Sequence, residues 1–265
     1  MFDRFERKID YLRISVTDKC NLRCTYCMPE EGVTPLRHED LLTLEELAEV
    51  ARAAVSLGVT KVRITGGEPL VRKGITSLVA MLAQMDGIRD LAMTTNGIRL
   101  AEFAPALVTA GLHRINVSLD TLDPARFAEI TRGGDVRTVL AGIEAAQIAG
   151  LTPIKLNCVV RQSPDEPDAQ SVAVFGRQHG YEVRFIRQMN LAEGHFSVVI
   201  GGRGGDCPTC NRLRLSCDGR IRPCLFHDLQ FSVREFGAEE ALRRAVDAKP
   251  KCGGTSRSLI HAIGG

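Results

Sequence analysis

Between Tyr11 and Met189, short runs of β-branched and apolar residues alternate with longer stretches of helical periodicity, and Gly, Pro or Asp stands at nearly every boundary. The short runs predict six strands, over residues 12–16, 61–65, 90–94, 114–119, 153–160 and 183–188. The clearest helix covers 43–56, where Thr43 and Glu46 have the spacing of a capping box. A second covers 135–149: Val136, Val139, Leu140 and Ile143 recur at helical spacing, and Gly150 stands where a C-terminal cap belongs.

Regular alternation of strand and helix predicts an α/β fold with a parallel sheet and right-handed crossovers. Six such units form either an open doubly wound sheet or a partial (β/α) barrel, and both place ligands at the carboxyl ends of the strands. The polar and glycine-rich segments 17–28, 66–69, 95–97 and 118–121 fall at or just after predicted strand ends, so they are expected to converge on one face. Beyond Met189 the pattern changes. Gly201-Gly202-Arg203-Gly204-Gly205 reads as a flexible stretch, followed by a cysteine cluster, one helix and a tail. The expected division is a barrel over 1–190 and a small, metal-dependent C-terminal region over 191–265.

At 265 residues the chain is long enough to bury a core of its own. No run of eighteen apolar residues appears and Met1 to Lys8 mixes both charges, which predicts a cytoplasmic protein without a membrane segment. A net charge of +2 without blocks of like charge gives no sign of a nucleic-acid or anionic-membrane partner. The cysteines change this bland picture. There are nine, an odd number that does not suit a fully paired disulfide framework, and they cluster. Cys20, Cys24 and Cys27 lie near one end, Cys207, Cys210, Cys217 and Cys224 near the other, while Cys158 and Cys252 stand apart. Two metal sites are the natural reading.

The first group is Cys-x3-Cys-x2-Cys, three thiolates within eight residues, directly after a strand. A [4Fe–4S] cube normally takes four cysteines, so three leave one iron open to a chelating ligand such as the amino and carboxylate groups of S-adenosylmethionine. A structural zinc site, or three unrelated buried cysteines, are the other readings. In the second group, Asn211 to Gly219 reads as a strand ending in an Asp-Gly turn. Alternation puts Arg212 and Arg214 on one face, with Leu213, Leu215 and Cys217 on the other, so Cys217 is expected to pack rather than ligate. A zinc ribbon is the alternative there.

The stretch from Leu12 through Cys20, Cys24, Tyr26 and Cys27 to Pro29 resembles the opening of the GTP 3′,8-cyclase family of radical S-adenosylmethionine enzymes. The resemblance continues through Lys61 to Leu70, Thr94 to Gly97, Asn116 to Asp120 and Lys155 to Val160. It implies a partial (β/α)6 TIM-like barrel with a small C-terminal iron–sulfur appendage. It also implies an oxygen-sensitive lyase of molybdenum cofactor biosynthesis that converts GTP to (8S)-3′,8-cyclo-7,8-dihydroguanosine 5′-triphosphate. Two [4Fe–4S] clusters go with it, one on Cys20, Cys24 and Cys27 and one on Cys207, Cys210 and Cys224. S-adenosylmethionine is expected against Tyr26, Gly66, Gly67, Glu68, Thr94, Ser118, Asn157 and Met189, and GTP against Arg13, Lys61, Arg63, Lys155, Arg184, Arg212 and Arg214. Arg13, Arg212 and Arg214 carry catalytic roles in this reading. A flavodoxin- or ferredoxin-like electron donor and a homodimer complete it, and Ile263-Gly264-Gly265 resembles a family tail that enters the active site. Independently of any family, arginine forks suit polyphosphate, and inward-pointing cations on strands call for an anion.

One departure is plain. Only seventeen residues separate Met189 from Cys207, where the family carries several dozen more, and Arg187 and Gln188 replace its acidic and aromatic residues. A more open site, a partner subunit or a different substrate, such as a peptide or a modified nucleotide, are the expected consequences. A non-catalytic iron–sulfur protein is disfavoured, because it has no use for a glycine-lined amino-acid pocket.

Overall fold

A computed structural model describes residues 1–258; the Gly-Gly tail expectation lies outside them. Six strands, β1 (Tyr11–Ser15), β2 (Lys61–Thr65), β3 (Asp90–Thr95), β4 (Arg114–Ser118), β5 (Ile154–Val160) and β6 (Glu182–Arg187), pair in parallel in sequential order. The described residues form eight α-helices. They are α1 (Leu44–Ser56), α2 (Ile75–Ala83), α3 (Leu100–Thr109), α4 (Pro124–Thr131), α5 (Val136–Ile148), α6 (Pro167–His179), α7 (Val233–Phe236) and, last, the C-terminal α8 (Ala238–Asp247). Thr43 caps α1 through the predicted box, its hydroxyl accepting from Glu46 N while the Glu46 carboxylate accepts from Thr43 N. Asp135 caps α5.

The sheet does not close. Its order is β6-β5-β4-β3-β2-β1-β7-β8-β9, so the architecture is an open, partial TIM-like barrel. The C-terminal strands β7 (Arg212–Leu215), β8 (Arg220–Arg222) and β9 (Phe231–Ser232) continue the same sheet, β7 in parallel against β1. Residues 216–219 form the Asp-Gly turn that the sequence predicts, and Leu213, Leu215 and Cys217 are buried while Arg212 and Arg214 face the other way.

The segment after β6 corrects one expectation. The glycine-rich stretch is not slack: Val199 N donates to Gly204 O at 2.8 Å, and Ile200 exchanges backbone bonds with Phe185 of β6. Gly205 has φ +77° and a Cβ there would lie 1.9 Å from Ser197 O, so glycine is required by close packing rather than by flexibility. Asn190 and His195 close a second tight turn, and the shortened segment therefore folds back on the sheet's edge.

The two ends of the chain are tied by buried charge. Arg7 pairs with Asp3 at 2.7 Å and donates to the carbonyls of Cys207 (2.8 Å), Pro250 (2.7 Å) and Lys251 (3.0 Å). Removing one member of such a buried pair leaves the other uncompensated. Arg7→Met is expected to lower stability by about 3–5 kcal/mol in urea unfolding, and a loss of under about 1 kcal/mol would contradict the role given to this clamp.

Candidate active site

The carboxyl ends of β1 to β6 open on a cavity of about 590 Å³. At one end stand Cys20, Cys24 and Cys27, in the loop after β1. Cys24 O accepts from the N–H groups of Cys27 and Met28, both at 3.0 Å, which winds the loop into a turn around the thiols. Cys20 Sγ accepts from Leu22 N at 3.4 Å and Asn96 Nδ2 at 3.7 Å. Burial, reinforced by neighbouring negative groups, pushes Cys24 up to about 12 and Cys27 up to about 11, and burial also raises Cys20. Such thiols become thiolates only beside a compensating positive centre, which is the condition for metal ligation. Three thiols in one loop can each bind a separate iron of a cube. The donor set therefore fits a cluster.

Beside the triad, Gly66, Gly67 and Glu68 line the cavity. A Cβ on Gly67 would lie 2.4 Å from Lys19 O, so only glycine lets this strand end press against the cysteine loop. Glu68 is 1% exposed and accepts from Leu70 N, Thr95 Oγ1 and Asn96 N. These bonds fix the turn that carries Asn96 to Cys20. Thr94, Ser118, Asn157, Met189 and Tyr26 also line the cavity, and Thr94 Oγ1 is buried without a hydrogen-bond partner, as suits a hydroxyl waiting for a bound polar group. Asp120, which the sequence reading gave no role, accepts from Tyr26 Oη at 2.7 Å and from Val159 N at 2.8 Å, tying the cysteine loop to β5.

The other end of the cavity is cationic, and its organisation is set by strand register. Arg13 of β1 lies opposite Arg63 of β2 and Arg214 of β7; Tyr11 lies between Lys61 and Arg212 in the same way. Three guanidinium side chains thus stand in one row across three strands. Like charges directly opposite on neighbouring strands are destabilising. Burial, with the neighbouring cations adding to it, brings Arg13, Arg63 and Arg214 each down to about 10, still charged at neutral pH. Arg63 Nε is buried without a hydrogen-bond partner, and its guanidinium stands 5.7 Å from the Tyr11 ring.

The surrounding cations are held by carboxylates: Lys61 by Asp10 (3.1 Å), Arg114 by Asp90 (2.6 Å), and Arg184 (2.8 Å) together with Lys155 by Glu182. Arg13, Lys61, Arg63, Arg184 and Arg212 line the cavity; Lys155 and Arg214 stand behind its lining. Arg114, Arg187 and Arg203 line it too, although sequence reasoning passed over them. Inward alternation on β4 would have found Arg114, two residues before Asn116. Arg203 belongs to the tight glycine turn, whose Gly201, Gly202 and Gly204 complete this wall.

Cys207, Cys210 and Cys224 lie outside the lining, and Arg212 donates to Cys210 Sγ at 3.6 Å. Burial opposes ionisation of Cys210, but Lys249 and Arg212 outweigh it and bring the thiol down to about 7. Burial pushes Cys207 up to about 11. A second cavity, of about 790 Å³, shares Tyr26, Cys27, Arg187 and Met189 with the first and is walled by residues of the shortened segment.

Burial, only partly offset by accepted hydrogen bonds, pushes Glu68 up to about 7 and Asp120 up to about 6. Both carboxyls hold their proton to higher pH in the folded state than in the unfolded chain, where they titrate at about 4. The stability they contribute is complete below that value and is lost as pH rises through the folded values. Cluster-free protein is thus expected to resist urea better near pH 5 than above pH 7, and Asp120→Asn to flatten the lower part of that slope. A profile that rises over this range would refute the assignment.

Comparison with known proteins agrees with this geometry. The radical SAM superfamily matches residues 14–168. The chain is 41% identical over 305 aligned positions to GTP 3′,8-cyclase of Thermodesulfovibrio yellowstonii, covering 95% of each chain. It is 39% identical to GTP 3′,8-cyclase of Geobacter sulfurreducens, covering 97% of this chain and 94% of that one. The first alignment is at least forty positions longer than the chain's 265 residues, so the relative carries insertions that are absent here. Among solved structures, Streptococcus suis SuiB bound to S-adenosylmethionine superposes with a TM-score of 0.62 at 15% identity, over 91% of this chain and 64% of that one. Native anSMEcpe with bound AdoMet and a peptide gives 0.61 at 14%, over 91% and 81%. These likenesses carry the fold.

Proposed function

The chain belongs to the radical SAM superfamily and, within it, to the GTP 3′,8-cyclase family, and from that premise we propose that its cavity holds S-adenosylmethionine against the first cysteine triad and GTP against the arginine row. One observation carries this reading: a cluster-type triad with its glycine cradle and a buried row of cations share a single cavity. A [4Fe–4S] cluster with S-adenosylmethionine supplies, when bound, a deoxyadenosyl radical at the triad end.

The chain's own residues do the rest. Gly66 and Gly67 allow close approach of the cofactor's amino-acid part, while Thr94, Ser118 and Asn157 offer it polar partners. Arg13, Arg63 and Arg184, with Lys61 and Lys155 behind their carboxylates, receive the triphosphate, which exchanges repulsion within the row for paired, charge-assisted hydrogen bonds. Arg214 ends that row and its neighbour Arg212 donates to Cys210 Sγ at 3.6 Å, so a second [4Fe–4S] cluster on Cys207, Cys210 and Cys224 would face the guanine end of the nucleotide. In this reading residues 1–190 form the radical-generating part and 191–265 the substrate-binding part, with an external one-electron donor of flavodoxin or ferredoxin type, a homodimeric state and a reducing, cytoplasmic setting. All nine cysteines are free thiols, in keeping with that setting. The tight turn lines the cavity with Arg203, which supports a small, anionic substrate.

Reconstituted without oxygen and supplied with reductant, S-adenosylmethionine and GTP, the protein is expected to yield deoxyadenosine together with a cyclised isomer of GTP. Deoxyadenosine without that isomer would redirect the search to another substrate, and an absence of cofactor cleavage would end the enzymatic reading. Hydrogen bonds to charged groups carry about 1.5–3 kcal/mol, so Arg63→Ala is expected to weaken GTP binding by roughly 10- to 150-fold while leaving guanosine binding nearly unchanged. Equal loss for both ligands in calorimetry would move Arg63 away from the phosphates.

A further inference from the structure

Cys252 stood apart in the sequence, forty-two residues beyond Cys210, yet the fold carries it to the second triad. After α8 the chain turns beneath that triad and is fixed there from three sides. Lys249 is 1% exposed, and its Nζ donates to Arg212 O at 2.7 Å and to Pro223 O at 2.6 Å, next to Cys224. Arg7 bridges the carbonyls of Pro250 and Lys251 to that of Cys207. Gly254 N donates to Phe226 O at 2.9 Å, two residues beyond Cys224. Held in this way, Cys252 Sγ lies 3.3 Å from Cys207 Sγ.

That separation is diagnostic. Thiolates on different irons of a cube are spread over its corners, whereas two thiolates at about 2.3 Å on one tetrahedral metal are about 3.8 Å apart. Cys207 and Cys252 therefore address the same corner, and a corner iron bonded to three sulfides takes one protein thiolate at a time. Cys210 and Cys224 have no such neighbour among the free cysteines of the described residues: Cys158 belongs to β5 and Cys217 is buried on the opposite face of the β7 hairpin.

We propose that Cys252 is an alternative ligand for the iron otherwise bound by Cys207, an inference that rests on the second triad being a cluster site. Exchange breaks the iron–Cys207 bond and forms an iron–Cys252 bond, with the proton of the Cys252 thiol passing to the departing Cys207 thiolate; no electron is gained or lost. Cys252 thereby guards the cluster at its outermost corner.

The test uses the full chain with Cys20, Cys24 and Cys27 replaced by alanine, reconstituted anaerobically with iron and sulfide, with circular dichroism to establish folding. Iron and sulfide are counted and the reduced cluster is followed by electron paramagnetic resonance. This background is expected to hold about four irons per chain; if it holds none, the second-cluster reading fails and the inference with it. If it does hold them, Cys207→Ala is expected to keep most of the iron with a changed resonance spectrum. Cys210→Ala is expected to lose it, and Cys207→Ala with Cys252→Ala to lose it as completely. The inference alone is overturned if Cys207→Ala loses iron to the same extent as Cys210→Ala, or if adding Cys252→Ala makes no difference.

Discussion

The row Arg63–Arg13–Arg214 is the constraint around which the rest of the molecule is arranged. Parallel pairing of β1 with β2 on one side and β7 on the other leaves no freedom in that alignment, because each register is fixed by Leu12, Ile14, Val62, Ile64, Leu213 and Leu215 packing on the outer face. Slipping one strand by a residue would bury an arginine among the helices and expose a leucine to the cavity. The hydrophobic face therefore holds the cations together against a repulsion of up to roughly 3 kcal/mol per neighbouring pair at an effective dielectric near 20 and a spacing of about 5 Å. An anion of high charge relieves that repulsion, and carboxylates at Asp10, Asp90 and Glu182 keep the flanking cations in position around it.

The same central strand links the two cysteine-rich ends. The loop that leaves β1 carries Cys20, Cys24 and Cys27, while the segment that enters β7, the neighbour of β1, carries Cys207 and Cys210. Each end is braced by a buried polar hub. Asp120 and Asn96 hold the first loop through Tyr26 and Cys20; Arg7 and Lys249 hold the second through backbone carbonyls. Since both hubs bond to backbone or to fixed side chains, the distance between the two ends is set by the sheet and not by flexible linkers.

Much of this was legible in the chain itself. The strand-to-helix period, the Thr43–Glu46 box, the Asp-Gly turn and the alternation of Arg212 and Arg214 with Leu213 and Leu215 are local properties, decided within a few residues by side-chain direction and backbone preference. The first cysteine triad is local in the same sense, since three thiols within eight residues must share a loop. The glycine stretch 201–205 misled because glycine signals both slack and tight packing, and only the approach of Ser197 O to Gly205 distinguishes them.

Local sequence carried the inventory: which faces are apolar, where the cysteines cluster, which cations lie on strands. Adjacency across long stretches of chain came from the fold alone. Opposing Arg13 to both Arg63 and Arg214, bringing Arg7 to Cys207, and setting Cys252 beside Cys207 depend on strand order and register, which are settled by burial of the whole core and leave no mark in any one segment.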